Sequence, residues 1–275
     1  MPGSRLIVRL LRTTAEFQEC ARIQQAVWGS AGASPELLQV TAKNGGAVIG
    51  AFRGNHLAGF LYAFLARRHG RLAHWSHLMA VEPGFRDRGL GVRMKIAHRE
   101  LALAQGVRSI AWTYDPLQSR NAALNIHHLG AEVREYLPDC YGSFPSRIEC
   151  GLPSDRFVAE WQIASRHVAK SLADDRPPID IDTLPVANDV VRDPRAFAIN
   201  RRLHLNLVGR RLLVEIPADP DRMRALDLDL ARRWRLETRR VFQNYFRKGY
   251  RVTDFIAPLR DDPRRAFYLL ERSES

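Results

Sequence analysis

The chain has 275 residues, 45% of them hydrophobic, and a formal net charge of +12 from 42 Lys plus Arg against 30 Asp plus Glu. That length and apolar content can build real cores and exclude general disorder. No apolar run is long enough to span a bilayer, because Arg9 and Arg12 interrupt the N-terminal candidate. No membrane partner is therefore expected. Cys20, Cys140 and Cys150 are odd in number and scattered, without metal-ligand spacing. They fit a reducing cytoplasm, and no metal is expected.

Residues 7–11 read as a strand. Thr13-x-x-Glu16 is a capping box that opens a helix to about Trp28. Ser34 as cap with Pro35 at the first position opens a second helix. Residues 47–52 and 57–65 are strands, joined at Arg53-Gly54-Asn55-His56, a hairpin signal. A further strand begins at His74 and carries the apolar run His77-Leu78-Met79-Ala80-Val81.

That strand ends in Val81-Glu82-Pro83-Gly84-Phe85-Arg86-Asp87-Arg88-Gly89-Leu90-Gly91-Val92-Arg93, and a helix is predicted over 92–105. At such a turn the N–H groups of the first helical turn are free, and the helix dipole adds positive potential. Glycines let the backbone approach a ligand closely. Arg86, Arg88 and Arg93 add charge, so the segment predicts a pyrophosphate cradle. It is not a Walker loop, which needs Gly-Lys-Ser/Thr. Its Gly89-x-Gly91 pair lies mid-chain, where the dinucleotide fingerprint has three glycines near the N-terminus and an acidic residue about 20 positions on.

A strand over 109–113 follows, then a short helix after Asp115-Pro116 that ends at Gly130. Strands near 131–137 and 147–150 complete the run, and 156–161 can extend it. The pattern Val-x-Pro-x-x-Arg-x-x-Gly-x-Gly and the order βααβββαβαββ resemble the GNAT N-acyltransferases, over roughly residues 5–163. Trp112-Thr113-Tyr114-Asp115-Pro116-Leu117, Asn121, Leu129-Gly130-Ala131 and Tyr141-Gly142 are similar to a little-characterised bacterial branch of that superfamily.

The resemblance implies an α/β (α+β) GNAT fold, with a mixed, mostly antiparallel sheet flanked by helices. It also implies acetyl-CoA or another acyl-CoA as co-substrate and direct attack by an amine in a ternary complex. The binding set it implies is Met79, Ala80, Val81, Arg86, Asp87, Arg88, Gly89, Leu90, Gly91 and Val92. The strand carrying Leu78-Met79-Ala80-Val81 is expected to splay at a bulge, where backbone groups polarise the thioester. Asn121 and Asn125, at i and i+4 on the short helix, share a face and are candidates for the lower CoA arm.

Amine acylation needs a base and an oxyanion donor. In the arylalkylamine branch of the family, histidines on the strand before the loop act as base. His77 matches one such position, and an unperturbed pKa of about 6.5 suits it. His74 is a weaker candidate. The family's general acid is a tyrosine late in the short helix, but aligning on Leu129-Gly130 puts Ile126 there. Tyr141 is the substitute, and a thiol of pKa about 8.5 can also leave without an acid.

Pro- and Asp-rich residues 173–194 read as a linker, giving a GNAT domain over 1–172 and a C-terminal region over 195–275. In that region a strand over 211–217, a long helix over 222–247 stopped by Gly249, and strands over 250–256 and 266–270 are predicted. This β-α-β-β extension resembles a degenerate half-domain that extends or covers the first; the alternative is a separately folding accessory domain. Its helix has one apolar face, Met223-Leu226-Leu230-Trp234, so docking onto the N-terminal region or onto a second copy in a homodimer is expected. All but four of the basic residues are arginine. The run from Arg232 to Arg240 reads as a solvated face rather than a nucleic-acid footprint, with Glu237 and Asp229 at pairing distance. The acceptor expected is a small-molecule amine. The alternatives are a CoA-binding regulator without catalysis and a basic nucleic-acid-binding protein.

Overall fold

The computed structural model describes residues 6–29, 32–86, 88–142, 151–257 and 265–272. By its contacts the chain forms two compact units. One is residues 1–112 with 146–148 and 162–165, and the other is residues 113–145, 149–161 and 166–275. The expected fold class holds: the strands are mostly antiparallel and helices flank them.

The first unit opens with β1 (Leu6–Leu10), α1 (Thr14–Trp28), α2 (Pro35–Lys43), β2 (Ala47–Arg53), β3 (His56–Arg68) and β4 (Arg71–Val81). A 3₁₀ turn (Pro83–Phe85), α3 (Leu90–Ala104) and the start of β5 (Ile110–Tyr114) follow. The capping box forms: the Glu16 backbone N–H donates to Thr13 Oγ1, and Glu16 Oε2 accepts from the Thr13 N–H at 3.0 Å. Strand order is β1-β2-β3-β4-β5, antiparallel except for the parallel pair β4–β5.

Alternation along the strands sorts two cores. Phe17, Cys20, Ile23 and Leu38 of α1 and α2 pack with Val48, Phe60, Tyr62 and Ala80 on one face. Leu90 and Met94 of α3 pack with Ala47, Ile49, Leu61 and Ala63 on the other. The result is three layers, each helix burying one stripe.

The second unit holds α4 (Ser119–Ala122), a π-helical turn (Ala123–His128), β6 (Glu132–Leu137), β7 (Arg156–Trp161) and α5 (Arg166–Leu172). It continues with β8 (Asn188–Arg192), β9 (Ala198–Leu203), β10 (Arg211–Pro217), α6 (Pro220–Leu226), α7 (Leu228–Arg247), β11 (Tyr250–Ile256) and β12 (Arg265–Arg272). Its main sheet runs β7-β6-β11-β12-β10, and β8 pairs with β9.

Several expectations are corrected. The stretch read as a linker contains β8, whose Asn188 donates to Asn200 Oδ1 of β9 at 2.7 Å. Its prolines hid a strand held by buried polar pairing. The single helix over 222–247 is two, because Asp227 turns out of helical geometry and caps α7 by accepting from the Leu230 N–H. The strand read at 147–150, and with it Cys150, lies outside the described residues.

The C-terminal region does pack onto residues of the N-terminal region within this unit. Val252 of β11 pairs with Val133 of β6, and Phe242 of α7 meets Phe157 of β7 edge-on at 4.7 Å. The arginine run is only partly a solvated face. Arg233 pairs with Glu237 at 2.8 Å, but Arg235 turns inward to Asp115 and Arg239 to Asp155.

Candidate acyl-transfer site

β3 and β4 slip register between Tyr62↔Leu78 and Ala63↔Ser76, so His77 is the extra residue of a β-bulge. The bulge shifts the phase of the strand. Before it, His74 and Ser76 point to α3, where they bond His98 and Lys95. After it, Met79 and Val81 pack on the α3 side, while Leu78 and Ala80 pack on the α1–α2 side. Among the described residues, pairing of β4 with β5 covers only His74↔Ile110 and Trp75↔Ala111. Past Trp75, β4 therefore keeps its β3 edge paired while the opposite edge leaves β5. An extended polar ligand can address backbone groups along such an edge.

The loop continues that edge into α3. Gly89 caps the helix at φ 72°, a left-handed conformation that suits glycine, and no side chain caps the helix. Among the described residues no side chain is bonded to the first N–H groups of α3. A Cβ at Gly89 would meet nothing within 4 Å, so the space outside the cap is open. Arg86 is exposed, its Nε 3.2 Å from the Val81 carbonyl, and exposed Arg88 lies 5.8 Å from the Phe85 ring. Leu90 is buried and anchors the helix start, and Gly91 and Val92 follow it in the first turn. Arg93 is turned away: it donates to the Leu6 carbonyl at 2.8 Å, so it braces β1 instead of joining the cradle. Asp87 lies outside the described residues. The loop base is fixed by Glu82, which takes Arg22 and His56 at 2.5 Å each. Partial burial would raise its pKa, but those two partners outweigh it and hold the carboxyl below its ordinary value.

His77 is exposed on the α1–α2 side, its ring 5.9 Å from those of Tyr62 and Phe64. Desolvation by these neighbours lowers its pKa from 6.5, so the ring is neutral at pH 7. His74 is fully buried against His98 at 2.9 Å, which removes it as a candidate for the reacting face.

The remaining candidates belong to the second unit. Asn121 is exposed, whereas Asn125 is buried in the π-helical turn. Their exposures differ, so the i, i+4 spacing does not present both side chains to solvent. Ile126 is fully buried. Tyr141 is 49% exposed, and its hydroxyl lies 2.8 Å from Thr113 Oγ1. Asp139 at φ 43° and Gly142 at φ 64° shape its turn.

Sequence reasoning missed Lys95. It is buried and donates to Ser76 Oγ at 3.1 Å. Its Nζ lies 3.5 Å from the Trp112 ring centroid. Burial pulls its pKa from 10.5 to about 7. The signal was present, because Gly91, Lys95, His98 and Ala102 recur at helical spacing on α3.

Among the described residues no group of three or more His, Cys, Asp or Glu side chains is disposed to hold a metal ion, and no helix is long and apolar enough to cross a membrane. No protein-family model and no curated protein matches the chain. Among solved structures, the chain is similar to a component of the NatC complex bound to Gag peptide and CoA. Identity is 12%, coverage is 57% of this chain and 98% of that one, and the TM-score is 0.48. It is similar to the Escherichia coli ribosomal-protein-alanine N-acetyltransferase at 14% identity, over 58% and 96%, with a TM-score of 0.48. It is similar to a GNAT-family acetyltransferase of Streptococcus pneumoniae at 15% identity, over 57% and 98%, with a TM-score of 0.46. At such identity the likeness is one of backbone course, and no activity follows from it.

Proposed function

We propose that the chain is an acyl-CoA-dependent N-acyltransferase acting on the amine of a small molecule, with acetyl-CoA as the default donor. One observation carries this reading: the edge of β4 past Trp75, unpaired among the described residues, leads directly into the glycine-capped N-terminus of α3. An extended arm laid along the edge would end with its diphosphate at free N–H groups, beside Arg86 and Arg88. His77 stands at the bulge where that edge begins. A neutral imidazole there accepts the proton of the incoming ammonium. The carbonyl then needs only hydrogen-bond donors for its developing charge, and backbone N–H groups of 78–81 are the candidates.

The test is calorimetry of the full chain with CoA and acetyl-CoA, followed by release of free thiol with a panel of amines. Binding and amine-dependent thiol release are the expected results. Gly89→Val puts a branched side chain at the cap and should weaken CoA binding by about 100-fold. If CoA neither binds nor raises the melting temperature, the reading fails. The buried Ile126 favours a second reading, a CoA-binding regulator. Binding without thiol release across the amine panel would select it.

A further inference from the structure

Lys95 is 2% exposed, and among the described residues no carboxylate pairs with it. Lysines are almost never fully buried without a counter-charge, because desolvating the ammonium costs several kcal/mol. Its contacts are the Ser76 hydroxyl and the face of Trp112. A hydroxyl and an indole face stabilise a cation only weakly compared with an anion. A second buried group beside it is also unsatisfied. His98, one turn further along α3, is fully buried, and its Nδ1 makes no hydrogen bond among the described residues. Desolvation and the nearby charge of Lys95 both hold His98 well below its ordinary pKa.

The location gives these unmet groups a meaning. Ser76 immediately precedes the bulge, and Trp112 immediately follows the last residue of β5 that pairs with β4. Lys95 therefore sits beneath the fork where the strands part, on the α3 face. His77 occupies the same level on the opposite face. An amine arriving from the His77 side would attack a thioester at the bulge, and the acyl tail would point to the other face, toward Lys95.

From this geometry we infer that the acyl group this chain accepts ends in a carboxylate, which Lys95 and Ser76 bind. Such a chain supplies the missing counter-charge, and it offers acceptors to Ser76 Oγ and, in the tautomer whose Nε2 accepts from His74 Nδ1, to the unpartnered Nδ1–H of His98. The inference rests on the acyl-CoA reading given above and names the donor class for that site. It departs from the acetyl default.

The experiment measures affinities of the full-length protein for CoA, acetyl-CoA, malonyl-CoA and succinyl-CoA by calorimetry. Malonyl- or succinyl-CoA should bind about tenfold or more tightly than acetyl-CoA, the scale of one desolvated charge-assisted pair. Lys95→Met, close in volume and apolar, should bring that ratio to about one. Ser76→Ala should reduce it partway, and it serves if the methionine variant does not fold. Equal affinities for carboxylated and acetyl donors would overturn the inference while leaving CoA binding intact. So would a preference that survives both substitutions. Loss of binding to every thioester and to CoA itself would instead bring down the acyl-CoA reading, and the inference with it.

Discussion

In the second unit, the buried carboxylates Asp155, Glu215 and Asp254 each meet arginine, at 2.6 Å (Arg239), 2.9 Å (Arg265) and 3.0 Å (Arg176). Asp115 is clasped by both arms of Arg235 at 2.5 Å. In the first unit, Lys95 is buried with a hydroxyl and an indole but no acid among the described residues, and Arg86 and Arg88 stand in the open. The same basic excess thus does two jobs. Arg235 and Arg239 fasten the C-terminal region to the turn after β5 and to the residue before β7, and Arg265 ties β12 to β10. Around the β4–α3 turn, Arg86 and Arg88 meet no carboxylate among the described residues, and in the proposed reading they serve a ligand. Net charge alone cannot separate the two, but pairing can.

The largest effect expected is from removing residues 173–275. This deletes β10, β11, β12 and α7, and it leaves Asp115 and Asp155 without the arginines that hold them. Uncompensated buried charge and exposed aromatic surface from Phe157 and Tyr136 should abolish a soluble cooperative fold. Gel filtration and a melting curve check this. A soluble fragment with unchanged melting would show that the C-terminal region is an appendage and that the matched arginines are incidental.

Next comes Arg235→Ala. Taking one partner from a buried pair costs about 3–5 kcal/mol, measured by urea unfolding. Burial would raise the pKa of Asp115, but Arg235 outweighs burial and lowers it. The stability from this pair is therefore present above the unfolded carboxylate pKa and is lost as pH falls through the folded one. Arg235→Ala should flatten that acid limb. The double change Arg235→Met, Asp115→Leu should cost much less than the single one, because it leaves no orphan charge.

Much of the first unit was legible in the sequence because its signals are local. Pro83, Gly89 and Gly91 punctuate a strand-to-helix turn, and Thr13 with Glu16 marks a helix start. The Asp115–Arg235 pair joins residues 120 positions apart, so no window of sequence contains it. The bulge could be anticipated but not assigned to His77, since which residue is extra depends on register with β3. Lys95 was overlooked because a lysine in an amphipathic helix is normally placed on the wet face.

His77→Ala follows in size, with an expected loss of about 100-fold in turnover and little change in CoA affinity. Desolvation lowers the His77 pKa, so its basic form is present at neutral pH and is lost only on moving below 6.5. Turnover should therefore be flat above pH 7 and fall on the acid side at a pKa below 6.5. The alanine variant should lose that limb. An unchanged acid limb would point to a base other than His77.

The smallest effect sharpens the contrast between the units most directly. The folded pKa of Lys95 is about 7, against the ordinary 10.5 of an unfolded lysine. Between those values the unfolded chain holds a proton that the folded chain lacks. Stability from this group therefore rises as pH climbs from about 7 toward 10, with a slope of at most about 1.4 kcal/mol per pH unit. Lys95→Met removes the titrating group, and it replaces an unmatched buried amine by an apolar side chain of similar length. The variant should be as stable as the parent or more so near pH 7, and its stability should lack the parent's rise toward pH 10. Arg235→Ala, by contrast, should destabilise at every pH in that range. Urea unfolding of both variants at pH 7 and 9 decides the matter. A large loss on Lys95→Met would mean that the amine already has its counter-charge in the folded chain, and the difference between matched and unmatched positive charge would disappear.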